Sequence, residues 1–321
     1  MNEIIKVSSL TKTYKLGKRE IKAVRNVSFV VNEGEIFAIL GPNGAGKTTL
    51  IKMLSTLVLP TSGKAFVCGY DIVKDEAKVR KCIGLSTGFE RSFYYRLTGF
   101  QNLKFFGTLY GMRGRSLNDK IKELSDFFNL NDAKEMLYMK YSTGMKKKLS
   151  LARALIHNPK ILMLDEPTSS IDPKSAMEIR QRIKEIKKDK AVILATHDLH
   201  EAETIADRIA ILKDGRLLTV DSPTNLKRYL KHEIIKIKTD GSVSMDKDFF
   251  LENGMREKIK RVDVKDETVF IHVENAEEVM DYVVDKMKSM KVKLLKINVE
   301  EPSLEEVFLN FMGEKDDKLS D

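Results

Sequence analysis

The stretch Glu35-Ile36-Phe37-Ala38-Ile39-Leu40-Gly41-Pro42-Asn43-Gly44-Ala45-Gly46-Lys47-Thr48 decides the fold. Its first six residues read as a buried strand. The next eight fit G-x-x-x-x-G-K-[ST], and Leu50 and Ile51 then open an apolar helix. A strand, loop and helix in this order cradle phosphate: the glycines let backbone N–H groups turn inward, and the helix N-terminus faces the anion. Gly41, Pro42, Asn43, Gly44, Ala45, Gly46, Lys47, Thr48 and Thr49 are therefore expected to bind the phosphates of a nucleotide. Lys47 is expected to reach the β and γ phosphates, and Thr48 to offer its hydroxyl to Mg²⁺.

Downstream, Ile161-Leu162-Met163-Leu164-Asp165-Glu166 places two acids at the end of a second buried strand. Sheets of this class bind ligands at their carboxyl edge, so Asp165 is expected in the Mg²⁺ shell and Glu166 beside the attacking water. Asp172-Pro173 caps a helix with Ile179, Ile183 and Ile186 on one face, and Ala191 to Ala195 is a third strand. Strand, helix and strand make the βαβ unit of a parallel sheet. Residues from about 88 to 158 show helical patterns only, such as Leu117, Ile121, Leu124 and Phe128 behind a cap at Ser116, and read as a helical insertion. A hairpin over 208–220 ends the domain near residue 230. Residues 231–313 read as strand, helix (247–252), two strands, helix, strand and a last helix capped by Ser303. That is a small α+β domain of ferredoxin-like layout, followed by a charged tail at 314–321.

Composition narrows the class. The chain has 321 residues, 42% hydrophobic and 32% charged, enough for one large domain and a smaller one and unlike a disordered chain. Its apolar runs are far shorter than the ~20 residues of a membrane span, and no signal-peptide pattern opens it, so a cytoplasmic chain is expected. Cys68 and Cys82 are too few for a disulfide framework and read as reduced, buried thiols. The net charge of +9 divides unevenly: residues 1–220 carry 38 basic and 24 acidic side chains, and 221–321 carry 18 and 23. A basic front suits nucleic acid, an anionic membrane or a phosphorylated ligand, and charge alone does not choose among them. Lys146-Lys147-Lys148 reads as a solvated helix face.

These motifs, in this order, resemble the ATP-binding cassette family, the nucleotide-hydrolysing subunits of ABC transporters. The resemblance covers residues 1 to about 230. It rests on Tyr14, the phosphate loop, the segment Tyr141-Ser142-Thr143-Gly144-Met145, Asp165 and Glu166, the loop Ser169-Ser170-Ile171-Asp172, and His197. It implies a P-loop NTPase with a helical subdomain, binding ATP and Mg²⁺. Tyr14 would stack on adenine from ahead of the first strands. Glu166 and His197 would position water, with Lys47 on the γ-phosphate. Ser142, Thr143, Gly144 and Met145 would act on the ATP of a second copy, and Asp172 would lie in the dimer loop. A homodimer follows, as does a separate membrane-spanning permease that holds the chain at the inner face of the membrane; no nucleic acid is expected.

Two departures stand out. Thr143 and Met145 replace a glycine and a glutamine of the family's Leu-Ser-Gly-Gly-Gln, which is expected to alter turnover more than binding. The glutamine expected after Ile83-Gly84-Leu85 is missing, and Glu90 either takes its place or is a surface charge. Arg91 to Leu103 resembles the segment that meets the permease in drug and polysaccharide exporters, unless it packs into its own core. The end Glu301-Pro302-Ser303-Leu304-Glu305-Glu306-Val307-Phe308 resembles daunorubicin-resistance-type exporter ATPases. The expected activity is ATP hydrolysis that powers an exporter. The alternatives are a soluble cassette acting on ribosomes or DNA, and a nucleotide-sensing module with weak hydrolysis.

Overall fold

A computed structural model of the chain describes residues 2–17, 19–87, 93–230, 232–241, 255–289 and 293–313. Glu90, the helix expected at 247–252 and the tail at 314–321 lie outside these residues. Contacts divide the chain into two compact units, residues 1–222 and 223–321. The break precedes the expected boundary at 230, because the helix after Ser222 packs within the second unit.

The first unit begins with β1 (Glu3–Leu16), β2 (Arg19–Asn32), β3 (Ile36–Leu40), α1 (Lys47–Leu54), β4 (Ser62–Val67), β5 (Tyr70–Asp71), α2 (Glu76–Cys82) and β6 (Ile83–Ser86). Three helices follow, α3 (Gly99–Leu109), α4 (Gly114–Phe127) and α5 (Thr143–Leu155). The unit closes with β7 (Ile161–Asp165), α6 (Pro173–Ile186), β8 (Ala191–Thr196), α7 (Leu199–Ile205), β9 (Arg208–Lys213) and β10 (Arg216–Asp221). A six-stranded sheet runs β10-β9-β3-β8-β7-β6, parallel except for the β9–β10 hairpin. A second, antiparallel sheet runs β2-β1-β4-β5.

The apolar runs of β3, β7 and β8 are continuous because both faces of the sheet are covered. Phe37, Ile39, Met163, Ile193 and Ala195 share one core with β1, β2 and α1. Their neighbours Ile36, Leu162, Leu164, Val192 and Leu194 share another with Leu103, Leu117, Ile121 and Leu124 of α3 and α4. The two-residue period of a strand makes that division. Burying each such Leu or Ile contributes roughly 1.5–3 kcal/mol, so the strand ends that carry the site are firmly held. α4 starts at Gly114, with Ser116 inside the helix and not at its cap. Tyr14 lies within β1, opposite Ile21 of β2, and not ahead of the first strands.

The second unit consists of α8 (Pro223–Arg228), β11 (Glu233–Thr239), β12 (Ile259–Lys265), β13 (Thr268–Val273), α9 (Ala276–Ser289), β14 (Leu294–Glu300) and α10 (Leu304–Met312). Its sheet runs β12-β13-β11-β14 with every neighbour antiparallel, the strand order of a ferredoxin-like fold. Ile235, Ile237, Val269 and Ile271 meet Val279, Val283 and Met287 of α9 in its core.

Candidate functional site

β3, β8 and β7 lie side by side and end together, with Leu40 opposite Thr196 and Ala195 opposite Asp165. The three following segments, Gly41 to Gly46, Glu166 and His197, therefore leave one sheet edge. The loop after β3 accepts only glycine at two points. A Cβ on Gly46, whose φ is +104°, would stand 2.2 Å from the Ala23 carbonyl oxygen, and one on Gly41 would stand 2.3 Å from that of Leu212. Gly46 is also the N-cap of α1, so the loop delivers its backbone directly to a helix N-terminus.

Lys47 is the first residue of α1 and is only 5% exposed. Its Nζ donates to the carbonyl oxygens of Gly41 at 2.7 Å and Pro42 at 3.1 Å, and lies 3.6 Å from Glu166 Oε1. Burial lowers its pKa, and the Glu166 and Asp165 carboxylates oppose that shift. One residue on, Thr48 Oγ1 donates to Asp165 Oδ1 at 3.1 Å. Burial pushes the Asp165 carboxyl above its ordinary range despite the hydrogen bond from Thr48, and the nearby Glu166 charge adds to the rise. Glu166 turns away from the strand with φ +54°, an uncommon conformation for a side-chain-bearing residue, while its N–H donates to the Ala195 carbonyl at 2.9 Å. That turn points its carboxylate at Lys47 on one side and at His197 on the other, where Nδ1 stands 2.8 Å from Oε2.

A second group forms around the N-terminus of α5. Ser142 caps the helix by accepting from Met145 N at 3.2 Å, and Ser142 and Thr143 are exposed to solvent. Gly144 is buried, and a Cβ there would meet Ser175 Oγ at 2.6 Å. Ser175 belongs to α6, whose own cap is Asp172, accepting from Ser175 N at 2.9 Å. Tyr14 joins neither group through the contacts it makes, pairing with Ile21 and lying under Lys12 Nζ at 5.1 Å from its ring centre. Thr49 lies half-buried on α1 behind Thr48.

The lysine run is not a solvated face. Lys147 is 7% exposed and donates to the Glu166 carbonyl at 2.8 Å and to Ser169 Oγ at 3.2 Å, linking the two groups. Lys148 pairs with Glu178 at 2.5 Å, and Lys146 lies over the Tyr138 ring. Lysine composition gave no hint of this, since only helical phase tells which lysine faces inward. Glu201, which belongs to no motif, is fully buried and accepts from Thr168 Oγ1 at 2.7 Å, bracing the turn after Glu166. Its one visible sign was the Asp198-x-x-Glu201 spacing of a helix N-terminus, where Asp198 accepts from Glu201 N.

Of the aromatic segment, Arg91 and Ser92 lie outside the described residues. Phe93 packs inward, its ring 4.8 Å from that of Tyr138 and under the Arg153 guanidinium, whereas Tyr94 and Tyr95 are 50% and 48% exposed. The segment thus divides between its own core and the surface. Asn102, fully buried, holds the turn by accepting from Tyr94 N at 2.8 Å and donating to Tyr94 O at 3.1 Å.

An anion-binding loop is thus surrounded by an ammonium, a hydroxyl–carboxylate pair and a carboxylate–imidazole pair. Positioning and charge stabilisation of a phosphoryl group need these parts. A family model described as ABC transporter matches residues 24–169, and one described as the C-terminal domain of ATP-binding proteins like DrrA1-3 matches residues 222–312. ABC transporter ATP-binding protein NatA of Bacillus subtilis (strain 168) is 35% identical over 216 residues, 67% of this chain and 88% of that protein. The linearmycin resistance ATP-binding protein LnrL of the same organism is 32% identical over 314 residues, 97% of this chain and 98% of that protein. Among solved structures, the dimeric post-hydrolysis state of the ATP-binding cassette MJ0796 bound to ADP and Pi has a TM-score of 0.62 and 28% identity. It covers 68% of this chain and 98% of the other.

Proposed function

Because the chain belongs to the ATP-binding cassette family, the ATPase subunits of ABC transporters, we propose that it powers export through a separate membrane-spanning permease, working as a pair of identical copies. The observation that carries the exporter reading is the similarity to a resistance ATP-binding protein along 97% of this chain, second unit included. Among the described residues no helix is long and apolar enough to cross a membrane, so the transport path belongs to another chain in this reading. The half-exposed Tyr94 and Tyr95, set on a turn held by Asn102, offer that chain an aromatic surface on the inner face of the membrane.

The loop from Gly41 to Thr49 binds the phosphates of ATP, and Tyr14 meets the adenine. Lys47 shares its ammonium between the loop carbonyls and the γ-phosphate. Thr48 Oγ1 and Asp165 Oδ1 form an oxygen-only donor pair with one ionisable member, which fits Mg²⁺. When bound there, the ion neutralises charge on the phosphoryl oxygens. Glu166, which accepts from His197 Nδ1–H, orients the attacking water and takes its proton, and the His197 ring lies beside the γ-phosphate. Ser142 and Thr143 with the α5 N-terminus, exposed on one copy, complete the site of the other with Gly144 and Met145, and Asp172 lies where the copies meet.

Light scattering on the Glu166→Gln chain with and without ATP tests the pairing. The account requires a dimer with ATP and a monomer without it, and a mass independent of nucleotide refutes it.

A further inference from the structure

In the second unit, His232 precedes β11, His272 lies on β13 and Glu306 sits in the first turn of α10. One potential ligand atom from each lies within 4.8 Å of the others. His232 Nδ1 is 2.8 Å from the Leu230 carbonyl oxygen, which only accepts, so Nδ1 carries the hydrogen. In the neutral ring the Nε2 lone pair is then left to point elsewhere. It is buried without a hydrogen-bond partner, 3.5 Å from Glu306 Oε2. A nitrogen and a carboxylate oxygen this close are held together by a cation between them, either a proton on Nε2 or a metal ion.

The surroundings suit one. Ser303 Oγ lies 3.4 Å from Glu306 Oε1, which orients the carboxylate with Oε2 toward the imidazole. Asp263 Oδ2 lies 3.3 Å from His272 Nε2 and is itself paired with Arg261 Nε at 2.7 Å, so it serves as the carboxylate that orients the ring. The side chains of His232 and His272 are 15% and 14% exposed, and that of Glu306 is 35% exposed, so solvent reaches the group from the Glu306 side. His232 also lines a cavity of about 470 Å³ whose rim carries four acids, Glu233, Glu274, Glu277 and Glu301, against two bases, Lys227 and Arg228.

We propose that His232, His272 and Glu306 bind one divalent transition-metal ion of the zinc class, with a fourth position left to water. Two imidazoles and a carboxylate are a donor set that such ions favour. With bonds of ~2.0–2.1 Å, a tetrahedral ion holds its ligand atoms about 3.4 Å apart, close to the separation of His232 Nε2 and Glu306 Oε2. The ion ties the lead into β11, β13 and α10 together, clipping the last helix to the sheet.

The test uses the untagged full chain in a Cys68→Ser/Cys82→Ser background, so that the two thiols contribute no ligands. After chelator treatment and without nucleotide, it is titrated with Co²⁺ and then Zn²⁺. The proposal requires one ion per chain, visible absorption bands of tetrahedral Co²⁺ and a higher Tm with Zn²⁺. His232→Gln and Glu306→Gln are required to weaken binding at least about tenfold and to erase the Tm gain. Their urea midpoints without metal show whether each variant is folded. Folded variants that still bind Zn²⁺ as tightly as the parent, or a parent that binds none, overturn the proposal.

Discussion

Nδ1 of His197 lies 2.8 Å from Oε2 of Glu166, and the two residues leave the ends of the adjacent parallel strands β8 and β7. A carboxylate accepts and does not donate, so the contact fixes the imidazole with its hydrogen on Nδ1. Lys47 approaches the other oxygen of the same carboxylate, and the three side chains act as one unit.

Glu166→Gln keeps the size of the side chain and removes its basicity. Phosphate release is expected to fall by about 10²–10⁴-fold while ATP affinity stays close to that of the parent. His197→Ala is expected to lower kcat in the same direction. An undiminished rate in the glutamine variant removes Glu166 from its assigned role.

Gly46→Ala brings a Cβ to 2.2 Å from the Ala23 carbonyl at a φ of +104°. The loop cannot keep its path, so nucleotide binding, read with a fluorescent ATP analogue, is expected to be lost as it is in Lys47→Ala. Retention of parental affinity contradicts the loop geometry.

Lys147→Met removes a buried donor from the Glu166 carbonyl and from Ser169. The carbonyl keeps its bonds from Ser169 N and Oγ, so what is lost is a hydrogen bond from a charged donor, about 1.5–3 kcal/mol, which a urea midpoint resolves. Because Glu166 is loosened too, kcat is expected to drop with little change in ATP affinity; a methionine variant with parental stability and turnover shows the contact to be idle.

Burial raises the Glu201 carboxyl pKa, against hydrogen bonds from Thr168 and Thr196 that lower it. The folded chain therefore holds this proton more tightly than the unfolded chain, whose glutamate titrates near ~4.3. The contribution is fully present below that value and is lost as pH rises through the raised folded pKa. Glu201→Gln is expected to raise Tm relative to the parent near neutral pH, with the gain shrinking as pH falls toward 4. Denaturation scans across that range decide it, and a gain that grows with acidity reverses the sign.

Strands β3, β7 and β8 were legible because burial on both faces makes each a nearly unbroken apolar run, and the loop after β3 because few sequences place that glycine spacing there. The acids and His197 followed from their positions at strand ends. Lys147 and Glu201 were not legible: both are charged residues turned inward to hold backbone or hydroxyl groups, and no local pattern marks a charge whose partner is distant in sequence. Tyr14 does not stand ahead of the sheet, because polar and apolar residues alternate around it. In an antiparallel sheet with one exposed face such alternation is a strand, here β1. In the second unit, the layout was readable from the order of strands and helices along the chain, of which the helix expected at 247–252 lies outside the described residues.

The central claim is that this ATPase drives a separate membrane-spanning chain. It is tested most directly by recovering Glu166→Gln with ATP from detergent-solubilised membranes of its own cells and identifying the co-purifying chains by mass spectrometry. The account predicts a multi-spanning membrane protein, recovered less well when Tyr94 and Tyr95 are both changed to Ser. Recovery of ribosomal proteins or DNA alone, with no membrane partner, contradicts it.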